Sequence, residues 1–297
     1  MTIEKSFGPI HFLPAVNSGR YPNSNSVYVE GACILIDAGA DLNRYRQLRA
    51  GPGIRELWLS HWHEDHLTYI DDLDGIPFRQ STLEQEPLAK LESFLDWYGI
   101  AQPAYRDYWR ANLRDNFSFK PRQAHAYLHA GEIINLGTCH VEVIGTPGHT
   151  PGHLAFFFRE PGVLFMGDYD LTRFGPWYGD RDSDIDQLIA STQALREIDA
   201  RVWLTSHEDG CFESPPGKLF DRYLAVIDER EGKLLDYLRG GPRTLDQIAA
   251  QHIVYRKPRE PLAFFDWGER ALMGKHLDRL MQTGTVVQAG RSFELAD

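Results

Sequence analysis

Short alternating runs of apolar and polar residues, broken by glycine, proline and aspartate, dominate the first sixty residues. Ile10-His11-Phe12-Leu13, Ser26-Val27-Tyr28-Val29-Glu30 and Ala32-Cys33-Ile34-Leu35-Ile36-Asp37 each predict a strand. Asp37-Ala38-Gly39 closes the third with turn residues. Leu42 to Ala50 predicts a short helix ended by Gly51-Pro52-Gly53, and Ile54–Ser60 predicts the next strand. The period then changes. Leu88, Leu91, Leu95 and Tyr98, followed by Tyr105, Tyr108, Trp109 and Leu113, repeat at helical spacing, with Gly99 and Pro103 between the two runs. They predict a helical hairpin inserted over about residues 81–119, whose aromatic stripe serves packing or walls a site.

Strand patterns return at Glu132–Leu136 and His140–Ile144. A hairpin follows, from Leu154–Phe158 and Val163–Met166 around Glu160-Pro161-Gly162. Ser183 with Asp186 has the form of a helix-starting cap, Asp184 suits the positive helix end, and Ile185 to Leu195 continue as helix. Arg201–Ser206 predicts the last strand of this segment. Pro215-Pro216-Gly217 then marks a boundary, dividing the chain into 1–214 and 215–297. The second segment predicts a long amphipathic helix from Tyr223 to Leu238 and a second helix begun by the capping box Thr244–Gln247. A third runs over Trp267–Gln282 with Gly284 as its stop, and a hairpin turns at Ala289-Gly290.

An apolar content of 42% suffices for a substantial core. Three scattered cysteines argue against a disulfide framework, and no opening segment has the form of a signal peptide or membrane helix. A cytoplasmic protein is the expectation. The net charge of −11 is concentrated in residues 1–214, a poor electrostatic match for a polyanion.

The candidate chemistry centres on Ser60-His61-Trp62-His63-Glu64-Asp65-His66, directly after a predicted strand. Period two carries His61 and His63 to one side, while Asp65 and His66 sit where the chain turns. One cluster can thereby serve two metal ions, with ligands suited to zinc, iron or manganese. The H-x-H-x-D-H string resembles the signature of the metallo-β-lactamase superfamily. Thr146-Pro147-Gly148-His149-Thr150-Pro151-Gly152-His153 is similar to a second motif of that family, in which the first histidine binds metal.

The resemblance implies an α/β fold, a four-layer αββα sandwich with the helical insertion and a small C-terminal winged-helix-like domain. It implies a glyoxalase II-like site in which His61, His63 and His149 hold one divalent ion and Asp65, His66 and His207 the other. Asp168, in Gly167-Asp168 at a strand end, would bridge them. Zinc is the first expectation, with iron or manganese as alternatives. His207 stands at the family's closing position, although its flank Ser206-His207-Glu208-Asp209-Gly210 departs from the usual P-G-H-G. Asp37 and Asp170 would support the ligands, and His153 would pack behind them. Asp65 would also receive a proton from the attacking water.

The implied reaction is metal-assisted hydrolysis, with a small acyl thioester or ester as substrate. The alternatives are a mononuclear-iron thiol or persulfide dioxygenase, or a nuclease or phosphodiesterase of the same superfamily. The Gly/Pro-rich loop after Asp168 offers Arg173, Trp177 and Tyr178 as substrate contacts. The third helix of the tail presents Glu269, Arg270, Lys275, Asp278 and Arg279, a mixed surface that favours a structural or homodimer contact over nucleic acid.

Overall fold

The computed structural model describes residues 3–296. Residues 1, 2 and 297, at the outer ends of the two expected segments, lie outside the described residues. Seven strands form the first sheet in sequence order: β1 (Lys5–Phe7), β2 (Ile10–Leu13), β3 (Ser26–Val29), β4 (Ile34–Ile36), β5 (Glu56–Trp58), β6 (Phe78–Ser81) and β7 (Ala126–Leu128). The second sheet comprises β8 (Ile133–Asn135), β9 (His140–Gly145), β10 (Leu154–Phe158), β11 (Val163–Phe165), β12 (Val202–Leu204) and β13 (Cys211–Phe212).

Period-two alternation builds the layers. Val27, Val29, Ile34, Ile36 and Trp58 of the first sheet meet Val141, Val143, Phe156, Phe158 and Phe165 of the second in a core between the sheets. The intervening residues face outward and are covered by helices. Tyr28, Leu35 and Leu57 pack under α1 (Leu42–Ala50) and the insertion helices α2 (Gln85–Ala89), α3 (Leu91–Trp97) and α4 (Pro103–Asp115). Leu164 and Trp203 pack under α5 (Ile185–Arg196) and α6 (Gly217–Leu238). The result is the expected four-layer arrangement of helix, sheet, sheet and helix. Parallel neighbours occur where a helix or long connection crosses over, as at β4–β5, β6–β7 and β11–β12.

Several boundaries differ from the reading of the sequence, each for a local reason. The strand expected over Ile54–Ser60 is only Glu56–Trp58, because Ser60 leaves the ladder and gives its N–H to the Asp37 carboxylate at 2.8 Å. His61 and His63 therefore lie on an extended loop rather than on the strand. The first insertion helix breaks at Lys90, whose backbone is extended, so the hairpin has three helices instead of two. Asp184, not Ser183, caps α5 by accepting the Gln187 N–H at 2.8 Å. Strand β6 was not foreseen, since Phe78 is the only apolar residue in Phe78-Arg79-Gln80-Ser81.

The tail contains α6, α7 (Leu245–Ala249) and α8 (Leu262–Gln282), and a small sheet of β14 (Arg243–Thr244), β16 (Ser292–Leu295) and β15 (Val286–Ala289). Helix α8 starts five residues earlier than expected and carries Phe264 against α4. Tail residues Tyr223, Ile227, Leu272 and Leu277 share one apolar cluster with Leu188 and Leu195 of α5. Trp267 enters the other cluster, beside Trp109 and Tyr98. Among the described residues no helix is long and apolar enough to cross a membrane.

Candidate metal centre

Each candidate ligand sits just beyond the C-terminal end of a strand. His61, His63, Asp65 and His66 follow β5, His149 follows β9, Asp168 follows β11 and His207 follows β12. A 3₁₀ turn over Glu64–His66 swings Asp65 and His66 round to meet the loop from another direction. Gly39 allows this loop to close: a Cβ there would stand 2.1 Å from the Asp65 carbonyl oxygen. Gly167, at φ +59°, similarly lets the chain turn at Asp168, where a Cβ would lie 2.4 Å from His153 Nε2.

The donor atoms of the expected ligands converge in two groups, and Asp168 and His207 form a third with Asp170. Those of His61, His63, His149 and Asp168 lie within 4.8 Å of one another, as do those of Asp65, His66 and His207. His149 Nε2 is 3.1 Å from His61 Nε2 and 3.0 Å from His63 Nδ1. Asp168 reaches into both groups. Its Oδ2 lies 3.4 Å from His149 Nε2 and 3.4 Å from His207 Nε2, and its Oδ1 lies 2.9 Å from His66 Nε2. Asp65 Oδ2 is 3.4 Å from His207 Nε2.

The cluster fits divalent cations. His66 Nε2 and Asp168 Oδ1 are buried 2.9 Å apart yet make no well-aligned hydrogen bond, an arrangement that costs free energy unless another group binds there. The far nitrogen of every ring is already occupied, which fixes the ring and turns its other nitrogen to the cluster. His66 Nδ1 meets Asp37 at 2.8 Å, His63 Nε2 meets Asp180 at 2.7 Å, and His61 Nδ1 meets Ser60 Oγ at 3.0 Å. His149 Nδ1 lies 3.0 Å from the Trp177 carbonyl, and His207 Nδ1 lies 2.9 Å from the Gly19 carbonyl.

Electrostatics separate the rings into two kinds. Burial pushes His61 well below the ordinary imidazole range and His149 down to about 4, so both are neutral at pH 7. Burial acts the same way on His63 and His66, but neighbouring carboxylates outweigh it. Asp180 lifts His63 to about 9, while Asp168 and Asp37 hold His66 well above its usual value. Burial opposes ionisation of Asp168, yet the imidazoles of His66, His207 and His61 keep it well below the carboxylate range.

The supporting residues divide into those foreseen and those missed. Asp37 accepts from Ser60 N and Oγ as well as facing His66, and Asp170 accepts the His207 N–H at 3.1 Å. His153 lies behind the site, between Thr146 Oγ1 at 2.7 Å and the Asp168 N–H at 3.2 Å. Glu84, Asp180 and Ser183 had not been singled out as supports. Glu84 is buried and accepts from Trp62 N, Thr150 Oγ1 and Gly152 N, at 3.1, 2.9 and 2.6 Å, tying the two histidine loops together. Ser183 Oγ donates to the His149 carbonyl at 2.6 Å. Asp180→Ala removes the partner of His63. It is expected to weaken retention of the ion held by His61, His63 and His149 roughly 10- to 100-fold in a chelator-competition titration.

Above the cluster opens a cavity of about 310 Å³. Of the three expected substrate contacts, Trp177 lines it; Arg173 and Tyr178 do not. Arg173 is exposed to solvent away from the cavity. Tyr178 is fully buried, its hydroxyl paired with His276 Nε2 at 2.9 Å and Arg230 at 3.1 Å. Neighbours in sequence thus have different roles, because the loop is pinned from behind. Buried Arg230 of α6 donates to the carbonyls of Phe174 at 2.7 Å and Pro176 at 2.9 Å.

Residues 19–207, which contain every candidate ligand, match the family model described as the metallo-beta-lactamase superfamily. The chain belongs to the metallo-beta-lactamase superfamily. It is 25% identical over 264 residues to a beta-lactamase-like protein 2 homolog of Drosophila melanogaster, covering 84% of this chain and 79% of the relative. It is 37% identical over 84 residues to a hydroxyacylglutathione hydrolase of Synechococcus sp. (strain JA-2-3B'a(2-13)), covering 27% of this chain. That match spans only 32% of the relative's length. Among solved structures, a metallo-beta-lactamase family protein from Thermus thermophilus aligns over 97% of this chain and 98% of its own, with a TM-score of 0.70 at 22% identity. A beta-lactamase domain protein from Burkholderia ambifaria aligns over 99% and 93%, with a TM-score of 0.72 at 17% identity. These two share the fold. This chain's His/Asp cluster at the superfamily's motifs could hold divalent metal ions.

Proposed function

We propose that this protein is a metallo-hydrolase that works with two divalent ions and cleaves a small acyl thioester or ester. The observation that carries the reading is Asp168, one carboxylate reaching two separate donor groups at the floor of a cavity. Two ions held by such a set supply a hydroxide-strength nucleophile from water near pH 7 and polarise a carbonyl oxygen.

The chain's own residues do the rest. His61, His63 and His149 would hold one ion, and Asp65, His66 and His207 the other. Asp65 lines the cavity and stands where it takes up a proton from the attacking water. Addition of water to the acyl carbon and cleavage of its C–S or C–O bond give a carboxylate and a thiol or alcohol.

The cavity supports an acyl substrate over a phosphodiester. Among the described residues Arg20 is the only lysine or arginine that lines it, and the whole chain carries a charge of −11, so a nucleic acid would find little to neutralise its phosphates. The name of the partially matching hydroxyacylglutathione hydrolases specifies an acylated thiol, which supports the same class. A screen of the metal-loaded protein against thioester, lactone and phosphodiester substrates tests this. Thioester or ester turnover is expected; turnover confined to phosphodiesters would overturn it.

A further inference from the structure

The walls of the cavity carry a chemistry that the metal ligands do not explain. Eight Phe, Tyr or Trp side chains from well-separated stretches line it, among them Tyr21 near the N-terminus, Trp109 of the insertion, Phe174 and Trp177 of the loop after β11, and Phe264 and Trp267 of the tail. Tyr21, Phe264, Trp109, Trp267 and Trp177 form a continuous surface, and Phe174 stacks on Tyr255. Trp109 stacks on Phe264 with ring centroids 5.2 Å apart, and Trp267 lies 5.0 Å from Trp109 and 5.3 Å from Trp177.

Two polar handles on this wall are committed elsewhere, while Trp109 Nε1 is buried without a hydrogen-bond partner. The Tyr21 hydroxyl donates to Glu64 at 2.9 Å, and Trp177 Nε1 donates to Asp180 at 2.9 Å. What the wall offers a ligand is therefore mostly ring surface, with the Trp109 N–H as its one buried unpaired donor among the described residues. Tyr21 and Phe174, at 39% and 41% exposure, are the most exposed Phe, Tyr or Trp side chains among the described residues, and both line this one cavity. Aromatic exposure concentrated at one concave site marks binding rather than scatter. The volume of about 310 Å³ sits at the small end of ligand sites, which suits one compact group and not a polymer.

We propose that this wall is an acyl pocket selective for an aromatic acyl group, so that the substrate is an aryl or arylalkanoyl thioester or ester with its carbonyl towards Asp65 and Asp168. This rests on the reading of the site as an acyl hydrolase. Flat rings can pack edge-to-face or offset against Phe264, Trp177 and Trp267, which an alkyl chain cannot match. The tail then belongs to the substrate site and is more than an appendage.

The test uses the full metal-loaded chain and thioesters of one thiol, N-acetylcysteamine, with acetyl, hexanoyl, benzoyl and phenylacetyl groups. In parallel, acetate, hexanoate, benzoate and phenylacetate are titrated against tryptophan fluorescence. The aromatic thioester is expected to exceed acetyl in kcat/KM by roughly ten- to a hundredfold, and hexanoyl by about threefold or more. Benzoate or phenylacetate should bind more tightly than hexanoate. Phe264→Leu keeps apolar bulk but removes a ring, and should abolish the advantage over hexanoyl. Phe174→Ser, at an exposed position that spares the fold, should raise KM for the aromatic substrate several-fold. Thioester turnover with no aromatic preference would overturn the pocket and leave the hydrolase reading standing. Tight aryl carboxylate binding without turnover of these thioesters or of the matching oxygen esters would uphold the pocket and overturn that reading. Failure of both would overturn both.

Discussion

Asp168→Asn is expected to lower turnover about a thousandfold or more and to reduce the metal content of the purified protein. The substitution keeps the size of the side chain and the backbone turn at Gly167, so the loss reports charge and donor chemistry rather than packing. Both carboxylate oxygens lie in the cluster, Oδ1 at 2.9 Å from His66 and Oδ2 at 3.4 Å from His149 and His207. An amide offers one neutral oxygen and an NH₂ that repels a cation. Charge stabilisation of this kind is worth several kcal/mol, and each 1.36 kcal/mol is a factor of about ten in rate. Asp170→Asn is the matched comparison, because Asp170 acts on the His207 N–H and should cost far less. Steady-state kcat and elemental analysis of both variants provide the check. An Asp168→Asn protein that kept more than a tenth of normal turnover would contradict the bridging role.

Asp65→Ala is expected to separate the two donor groups. It should remove turnover almost completely while sparing the ion held by His61, His63 and His149. The geometry makes this a clean experiment. The position of the turn depends on the Asp65 main chain, whose carbonyl accepts from Ser24 Oγ at 3.1 Å and Thr68 Oγ1 at 3.0 Å, and alanine leaves that intact. The carboxylate itself faces His207 and His66, away from the three-histidine group. Metal analysis of the variant should therefore find one ion retained. Loss of both together would count against two separable sites.

The parts of the centre that were legible in the sequence are those written contiguously. His61 to His66 and Thr146 to His153 each keep their residues on one loop, so spacing alone announces them. Asp168 and His207 could be placed because each ends a predicted strand. The supports that were missed act across long separations. Asp180 meets His63 from 117 residues away, and Glu84 meets Gly152 from 68. Glu84 lies in a stretch that reads as the start of a helix, and nothing local marks it as buried. Tyr178 shows the opposite failure. Its aromatic neighbour Trp177 does line the cavity, but only the contacts of Arg230 and His276 decide which ring turns inward. In the fold, strand β6 escaped because its buried Gln80 breaks the apolar alternation that identified strands such as β3 and β9, and the short β1, β7 and β13 also went unread.

In the proposed centre one site holds two ions bridged by Asp168. Metal content per chain, measured by elemental analysis on protein purified without chelators, tests it most directly. Two equivalents of a divalent metal, falling to about one in Asp65→Ala, is the predicted result. A single equivalent in the unmodified protein, with no second ion taken up on titration, would contradict it.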